Sequence, residues 1–381
     1  MAEIPMRESA PAFWMPFTNN RAFQRQPKLL NKAAGMYYAD TSGRTILDAS
    51  AGLWCSNAGH GHPYITEAVV DAAKRLDYVP SFNYSHPTAF EFADKLVEEV
   101  SPPGSDLDHV FFTLCGSTAV DSSLKIALAY WRAKGMPSKT RFVGREGGFH
   151  GVGFGGMSVG GMPNNRRAFS AALLPGTDHL PVTHDLEHQA FSKGQPKWGA
   201  HLADELENIV ALHDASNIAA VIVEPVAGSI GVYVPPAGYL ERLREICTKH
   251  DILLIFDEVI TAFGRVGTPT AAEYFGVAPD MITMAKGLTN AAVPAGAVMA
   301  HKDIYQTIMD SANPSSIEFF HGYTYSAHPL ACAAGIATLE VYRELGLYDR
   351  YKELGQYFQE AAHSLSDHPH VVDVRNLGFM A

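Results

Sequence analysis

Ile252-Leu253-Leu254-Ile255-Phe256-Asp257-Glu258-Val259 and, a little further on, Met281-Ile282-Thr283-Met284-Ala285-Lys286 decide how this chain folds. Each is a short apolar run that stops at an ionisable residue. Runs of this length suit buried strands of a parallel sheet with helices on both faces. In such a sheet, ligands bind beyond the carboxyl ends of the strands. Asp257 and Lys286 therefore face one crevice.

A lysine amine and a carboxylate held across a crevice suit pyridoxal 5′-phosphate (PLP). The lysine forms a Schiff base with it, and the carboxylate keeps the proton on the pyridine nitrogen. Taken singly, a carboxylate at a strand end is often a cap and a lysine there is often solvated. Lys286, however, follows a nearly uncharged run and precedes Gly287. An amine in such surroundings has a depressed pKa, as a Schiff-base lysine requires.

Outward from these strands the chain alternates helix and strand. Helices are expected at 89–100, 117–134 and 240–250, and strands at 110–113, 141–145, 217–224 and 296–300. In the second helix Val120, Leu124, Ala127, Leu128 and Trp131 share one face. The alternation predicts an α/β fold with a mostly parallel central sheet. Before it, Met36–Leu47 reads as a hairpin turning at Thr41-Ser42-Gly43-Arg44, and 65–76 as a helix. Residues 1–35 read as an arm with aromatics at Phe13, Trp14 and Phe17. Helices are expected at 331–345 and 348–364, then a strand beginning at 371–374.

Cys115-Gly116-Ser117-Thr118 lies between a predicted strand and a predicted helix. Free N–H groups and the positive dipole end there suit a phosphate, and Thr118-x-x-Asp121 resembles a capping box. Alone, the segment would be an ordinary turn; sharing a sheet with Asp257 and Lys286 changes that. Gly147-Gly148-Phe149-His150-Gly151 puts an aromatic ring in a glycine loop, where it could stack on a flat heterocycle. Glu224-Pro225 ends a strand on a carboxylate at the same edge.

Composition bounds the alternatives. The 381 residues are 47% hydrophobic and 18% charged, which is ordinary for a globular protein and too long for one compact core. Net charge is −11 and there is no basic run, which argues against nucleic acid as a partner. Four cysteines without a C-x-x-C pair suggest a reduced, cytoplasmic setting and no zinc site. No signal peptide is read at the N-terminus and no apolar run reaches membrane-spanning length. Three motif matches are decoys. Gly151-x-Gly153-x-x-Gly156 fits a dinucleotide fingerprint, but it follows a glycine loop and no helix is expected after it. Gly156-x-Ser158-x-Gly160 fits a hydrolase nucleophile elbow without the strand and helix that the elbow needs. His184-Asp185-Leu186-Glu187-His188 fits an inverted zinc-peptidase motif without a convincing long helix.

Taken together, Asp257-Glu258-Val259-Ile260-Thr261-Ala262-Phe263-Gly264-Arg265, Ala285-Lys286-Gly287, Glu224-Pro225-Val226-Ala227-Gly228, Phe149-His150-Gly151 and His321–Pro329 resemble the class III (subgroup II) aminotransferases, which are fold-type I PLP enzymes. Ser50-Ala51-Gly52-Leu53-Trp54 and the 322–329 segment look most like the ω-amino acid:pyruvate, or β-alanine–pyruvate, type. The resemblance implies a large PLP-binding domain at 61–312. It also implies a small α+β domain from both termini, with an N-terminal arm and part of that domain at 1–60 and the start of its C-terminal half at 313–381.

It implies roles as well. Lys286 holds the cofactor and moves the proton between the substrate carbon and the cofactor. Asp257 pairs with the pyridinium nitrogen. Val259 and Phe149 cover the two ring faces, and His150 also belongs to the cofactor site. Gly116, Ser117 and Thr118 hold the phosphate, and Thr324 reaches the phosphate of a neighbouring subunit in a homodimer or homotetramer. Glu224 helps orient Asp257 or a substrate-binding arginine. Trp54, Phe82, Tyr84 and Phe149 line the substrate pocket. The implied reaction is ping-pong transfer of an amino group from an ω-amino acid or amine, arylalkylamines included, to pyruvate or a similar keto acid.

Alternatives on the same fold are an aminomutase, racemase or decarboxylase. The sequence departs from the family at Thr118, where the family commonly has Glu, and at Phe149, where it often has Tyr. Family members also run some tens of residues past Ala381, into a part that carries the arginine for the keto-acid carboxylate. A chain with an incomplete small domain that binds PLP without turnover is therefore a further expectation.

Overall fold

The structure, a computed structural model, describes residues 11–381. The reading of residues 1–10 as free of a signal peptide lies outside the described residues. Among the described residues, ten strands form two sheets. A small antiparallel sheet contains β1 (Leu30–Ala34), β2 (Tyr37–Asp40) and β3 (Thr45–Leu47). The expected hairpin is the β2–β3 pair. Its turn is fixed by Asp40, whose carboxylate accepts from the N–H groups of Ser42 and Arg44, both at 2.9 Å.

The large sheet contains β4 (Leu107–Thr113), β5 (Arg141–Arg145), β6 (Thr177–Leu180), β7 (Ile218–Val223), β8 (Leu253–Asp257), β9 (Met281–Met284) and β10 (Gly296–His301). Its spatial order is β4-β10-β9-β8-β7-β5-β6. All pairings from β9 to β6 are parallel, whereas β10 runs antiparallel to both β9 and β4. The reason is length. Only residues 285–295 separate β9 from β10, too few for the crossover of a dozen or more residues that a parallel return needs. Every residue of β7, β8 and β9 is buried, which accounts for their continuous apolar runs. Helices Gly116–Ala133 and Tyr239–Lys249 cover opposite faces of the sheet, each turning its apolar stripe inward.

Six of the seven strands point the same way, so their carboxyl ends share one edge. Thr113, Arg145, Val223, Asp257 and Met284 all end there. Gly296, which opens β10, lies at that edge opposite Thr113. A Cβ at Gly296 would come within 2.5 Å of the Cys115 carbonyl oxygen, so only glycine fits.

Three expectations fail. Residues 371–374 are not a strand, because no neighbouring strand pairs with them among the described residues. Instead the Asp373 carboxylate accepts from Phe191 N–H and the Asn376 carbonyl from Gly194 N–H. Thr118 and Asp121 do not form a capping box with each other. The Thr118 hydroxyl accepts from the N–H groups of Leu114 and Cys115, each at 3.0 Å. A short helix, Phe154–Val159, does begin within the Gly151–Gly156 match. Its N-terminus is occupied, since Gly156 N–H donates to Asp121 Oδ1 at 2.8 Å. Strand β6 and helix Lys302–Ser311 were not anticipated.

Candidate active site

The strand ends line a cavity of about 350 Å3, within the ~300–1,000 Å3 of small-molecule sites. Lys286, Asp257, Glu224, Phe149, His150 and Val259 all line it, as do Gly116 and Ser117 at the start of helix Gly116–Ala133. The opening N–H groups of that helix have no intrahelical partner. Val259 packs against the same turn: a Cβ at Gly116 would meet its methyls at 2.9 and 3.0 Å.

Asp257 ends β8 and is buried. Its Oδ2 accepts from His150 Nδ1 at 2.8 Å, and its Oδ1 from the Thr283 hydroxyl at 3.0 Å and Val259 N–H at 3.2 Å. Since a carboxylate only accepts, His150 carries its proton on Nδ1. Its Nε2 is buried without a hydrogen-bond partner. Glu224 does not bond Asp257, contrary to one expected role. Its oxygens accept from Phe149 N–H at 2.9 Å and Gly228 N–H at 3.2 Å, so it fastens the loop that carries Phe149. Burial pushes its carboxyl upward.

Lys286 lies two residues beyond β9 in a left-handed backbone conformation, φ 51°. Strain of this kind concentrates at functional sites. Burial pushes its ammonium pKa down, aided by Arg265 and opposed by Cys55, Asp257 and Glu224. The Trp54 ring centroid is 5.6 Å from Lys286 Nζ. Trp54 follows three other residues with positive φ, Ala51 to Leu53, an arrangement costing roughly 1–2 kcal/mol per non-glycine residue.

Phe82, Tyr84 and Thr324 do not line this chain's cavity. They share another face, where Phe82 is 55% and Tyr84 70% exposed and Thr324 is exposed. Segments 78–84 and 322–326 are fastened together there. Tyr78 Oη donates to Thr324 O at 3.0 Å and the Ser81 hydroxyl donates to Ser326 O. Thr118, expected at the phosphate, is instead used in the turn itself. Sequence reasoning missed Thr283 and Cys55. A hydroxyl inside the buried run Met281–Met284 was a usable signal for Thr283; nothing marked Cys55 except its place beside Trp54.

The decoys are accounted for locally. The Ser158 hydroxyl donates to Phe154 O and accepts from Leu174 N–H, so it has no base. His184 contacts Gln189 and Asp373, and His188 contacts Asp185. Among the described residues no group of side chains could hold a metal ion, and no helix is long and apolar enough to cross a membrane.

The donor set fits PLP: an amine for the aldehyde carbon, a carboxylate for the ring nitrogen, and a helix N-terminus for the phosphate, all around one largely apolar cavity. The class defined by this fold and site is that of the PLP-dependent transferases. The family model of class-III aminotransferases matches residues 19–381. The chain is 64% identical over 370 residues to an omega-aminotransferase of Caulobacter vibrioides, covering 97% of this chain and 83% of that protein. It is 51% identical to a beta-alanine–pyruvate aminotransferase of Pseudomonas aeruginosa, covering 96% and 81%. Among solved structures, an (S)-enantioselective omega-transaminase from Thermomicrobium roseum superposes with a TM-score of 0.87 at 35% identity, covering 96% and 79%. The omega transaminase of Pseudomonas jessenii in complex with PMP does so with 0.89 at 32%, covering 96% and 80%. The chain belongs to the class-III aminotransferases, and its cofactor is PLP.

Proposed function

We propose that this chain moves an amino group from an ω-amino acid or amine, of the β-alanine type, to pyruvate by a ping-pong mechanism. The observation that carries the proposal is the single cavity shared by Lys286, Asp257 and the N-terminus of helix Gly116–Ala133. The relatives named for ω-amino acid and β-alanine–pyruvate transfer supply the substrate class. When bound, PLP supplies an electron sink for the bond electrons released at the donor carbon. Lys286, whose pKa burial lowers, accepts the proton from the donor carbon on Nζ and returns it on the other side of the exchange. Asp257, backed by His150 and Thr283, keeps a negative charge at the ring nitrogen. Phe149 and Val259 cover the ring faces and exclude water. The N–H groups of Gly116 and Ser117 bind the phosphate. Trp54 does not itself line the cavity, but its ring, 5.6 Å from Lys286 Nζ, borders the side from which the donor amine would approach.

We assign residues 61–312 to the large domain, with 1–60, of which 1–10 lie outside the described residues, and 313–381 assigned to the small one. We also infer a homodimer in which Thr324, Phe82 and Tyr84 reach the partner's site. The support is their exposure and the fastening of segment 78–81 to 324–326 on that face. The free cysteines favour a cytoplasmic location.

The test is the visible absorption of the purified protein with PLP. Adding β-alanine or an arylalkylamine should remove the band of the lysine-bound cofactor, and pyruvate should restore it. A band unresponsive to amine contradicts the proposal. Turnover without a keto acceptor points to racemase, decarboxylase or mutase chemistry instead.

A further inference from the structure

Residues 51–54 make one turn of left-handed helix. φ is 47° at Ala51, 59° at Gly52, 68° at Leu53 and 61° at Trp54. Residues with a Cβ visit this region singly and rarely as a run. The turn closes through Trp54 N–H to Ser50 O at 2.8 Å and Cys55 N–H to Ala51 O at 2.7 Å. Such a run persists only when its surroundings over-determine it.

Asp48 is the main determinant. Its carboxylate accepts from Gly52 N–H at 2.7 Å, the Ser50 hydroxyl at 3.0 Å and His60 Nε2 at 2.7 Å. His60 therefore carries its proton on Nε2, and its Nδ1 accepts from the Ser56 hydroxyl at 3.3 Å. His60 is itself anchored. It exchanges two backbone hydrogen bonds with Gly35, at 2.9 and 2.8 Å, and its ring lies 4.4 Å from that of Tyr38 on β2. Beyond the turn, the Asn57 amide donates to Phe263 O at 2.9 Å, and Ala58 N–H donates to Asn290 Oδ1 at 2.9 Å. The loop is thus clamped to the small sheet at one end and to the segment after Lys286 at the other. The product of this arrangement is the Trp54 ring 5.6 Å from Lys286 Nζ.

We propose that Asp48 and His60 are positioning residues for amino-group transfer. They hold the 51–54 turn left-handed, fix the Trp54 ring beside Lys286, and so set how tightly the donor amine is held. The inference rests on the function proposed above. It goes further by placing a determinant of donor affinity beside the small sheet, outside the cavity.

The test is His60→Leu in the full chain, alone and combined with Leu53→Gly. Leu53 is 69% exposed, and glycine there removes a left-handed penalty without touching the cavity. Two quantities are read. One is acrylamide quenching of Trp54 emission in the apoprotein, taken as the difference from Trp54→Phe. The other is KM and kcat for β-alanine with pyruvate. His60→Leu should increase quenching and raise KM about tenfold while kcat changes less, in line with the cost of misplacing a substrate-holding group. Leu53→Gly should recover both quantities. His60→Gln, which keeps an amide donor for Asp48, should lie near wild type.

Unchanged quenching and KM in His60→Leu overturn the inference. So does a change that Leu53→Gly fails to recover, because the effect would then not run through the turn. If His60→Leu does not fold, Asp48→Asn with and without Leu53→Gly is read by the same criteria. If the wild-type chain transfers no amino group, the proposed function fails, and the quenching arm still decides the positioning role.

Discussion

Gly151 ties together the two halves of the proposed cofactor site, and Gly151→Ala is the most informative single change. Its φ is +87°, and an added Cβ would lie 2.5 Å from Ser117 Oγ and 2.6 Å from Ser117 Cα. The left-handed backbone costs a non-glycine residue roughly 1–2 kcal/mol, and overpacking a close contact costs about 1–3 kcal/mol more. The strain, roughly 2–5 kcal/mol, relaxes along one of two routes. Either the 149–151 loop moves, taking Phe149 and His150 with it, or the Ser117 turn moves, to which Val152 N–H is bonded at 3.1 Å. Both routes disturb groups around the cofactor. At 1.4 kcal/mol per decade, even the low end corresponds to more than about tenfold in affinity. The assay is titration of the apoprotein with PLP by visible absorption, with urea unfolding in parallel. We expect PLP Kd to rise at least about tenfold and the unfolding midpoint to fall. A Kd and a midpoint both at wild-type values would refute the reasoning.

Three further predictions follow from the same geometry. Thr283→Val keeps the volume but removes a donor to Asp257, a hydrogen bond to a charged group worth about 1.5–3 kcal/mol. PLP affinity measured by the same titration should drop about tenfold or more. Lys286→Met should abolish amino transfer, followed by alanine formation, yet leave the apoprotein at least as stable to urea, because a buried amine is replaced by an apolar chain of similar length. Glu258 is fully buried and accepts from the N–H groups of Ala271 and Ala272. Burial raises its pKa from 4.5 to about 7. The folded state therefore binds more protons than the unfolded one between those values, and this contribution to stability declines as pH rises through that window. Glu258→Gln should flatten the fall in urea midpoint between pH 5 and pH 7.

Much of this was legible in the sequence because single strands carried it. The runs ending at Asp257 and near Lys286 are buried on both faces, so their apolar continuity and their terminal charges were both visible. The turn proposed for the phosphate was legible for the same reason: a strand, a small-residue turn and an amphipathic helix follow in order. What stayed hidden depended on distant partners. The reversal of β10 is set by the short 285–295 link, and a strand's direction leaves no mark on its own residues. The pairing of Asp257 with His150 joins residues more than a hundred positions apart. The left-handed backbone at Lys286 and at Ala51–Trp54 contradicts local propensity at every non-glycine position, so no local rule could find it. The strand expected at 371–374 had the right composition but no strand to pair with among the described residues. Phe82, Tyr84 and Thr324 show the limit of a single chain. Their residue types suit a site, but they lie on an exposed face away from this chain's cavity, and only the proposed homodimer would bring them to one.

The most direct test of the central claim follows the nitrogen itself. The protein is incubated with PLP, 15N-labelled β-alanine and pyruvate, and the alanine formed is analysed by mass spectrometry, with Lys286→Ala in parallel. The account predicts 15N-alanine from the wild-type chain and none from the variant. Unlabelled alanine, no alanine, or labelled alanine from Lys286→Ala at the wild-type rate would contradict it.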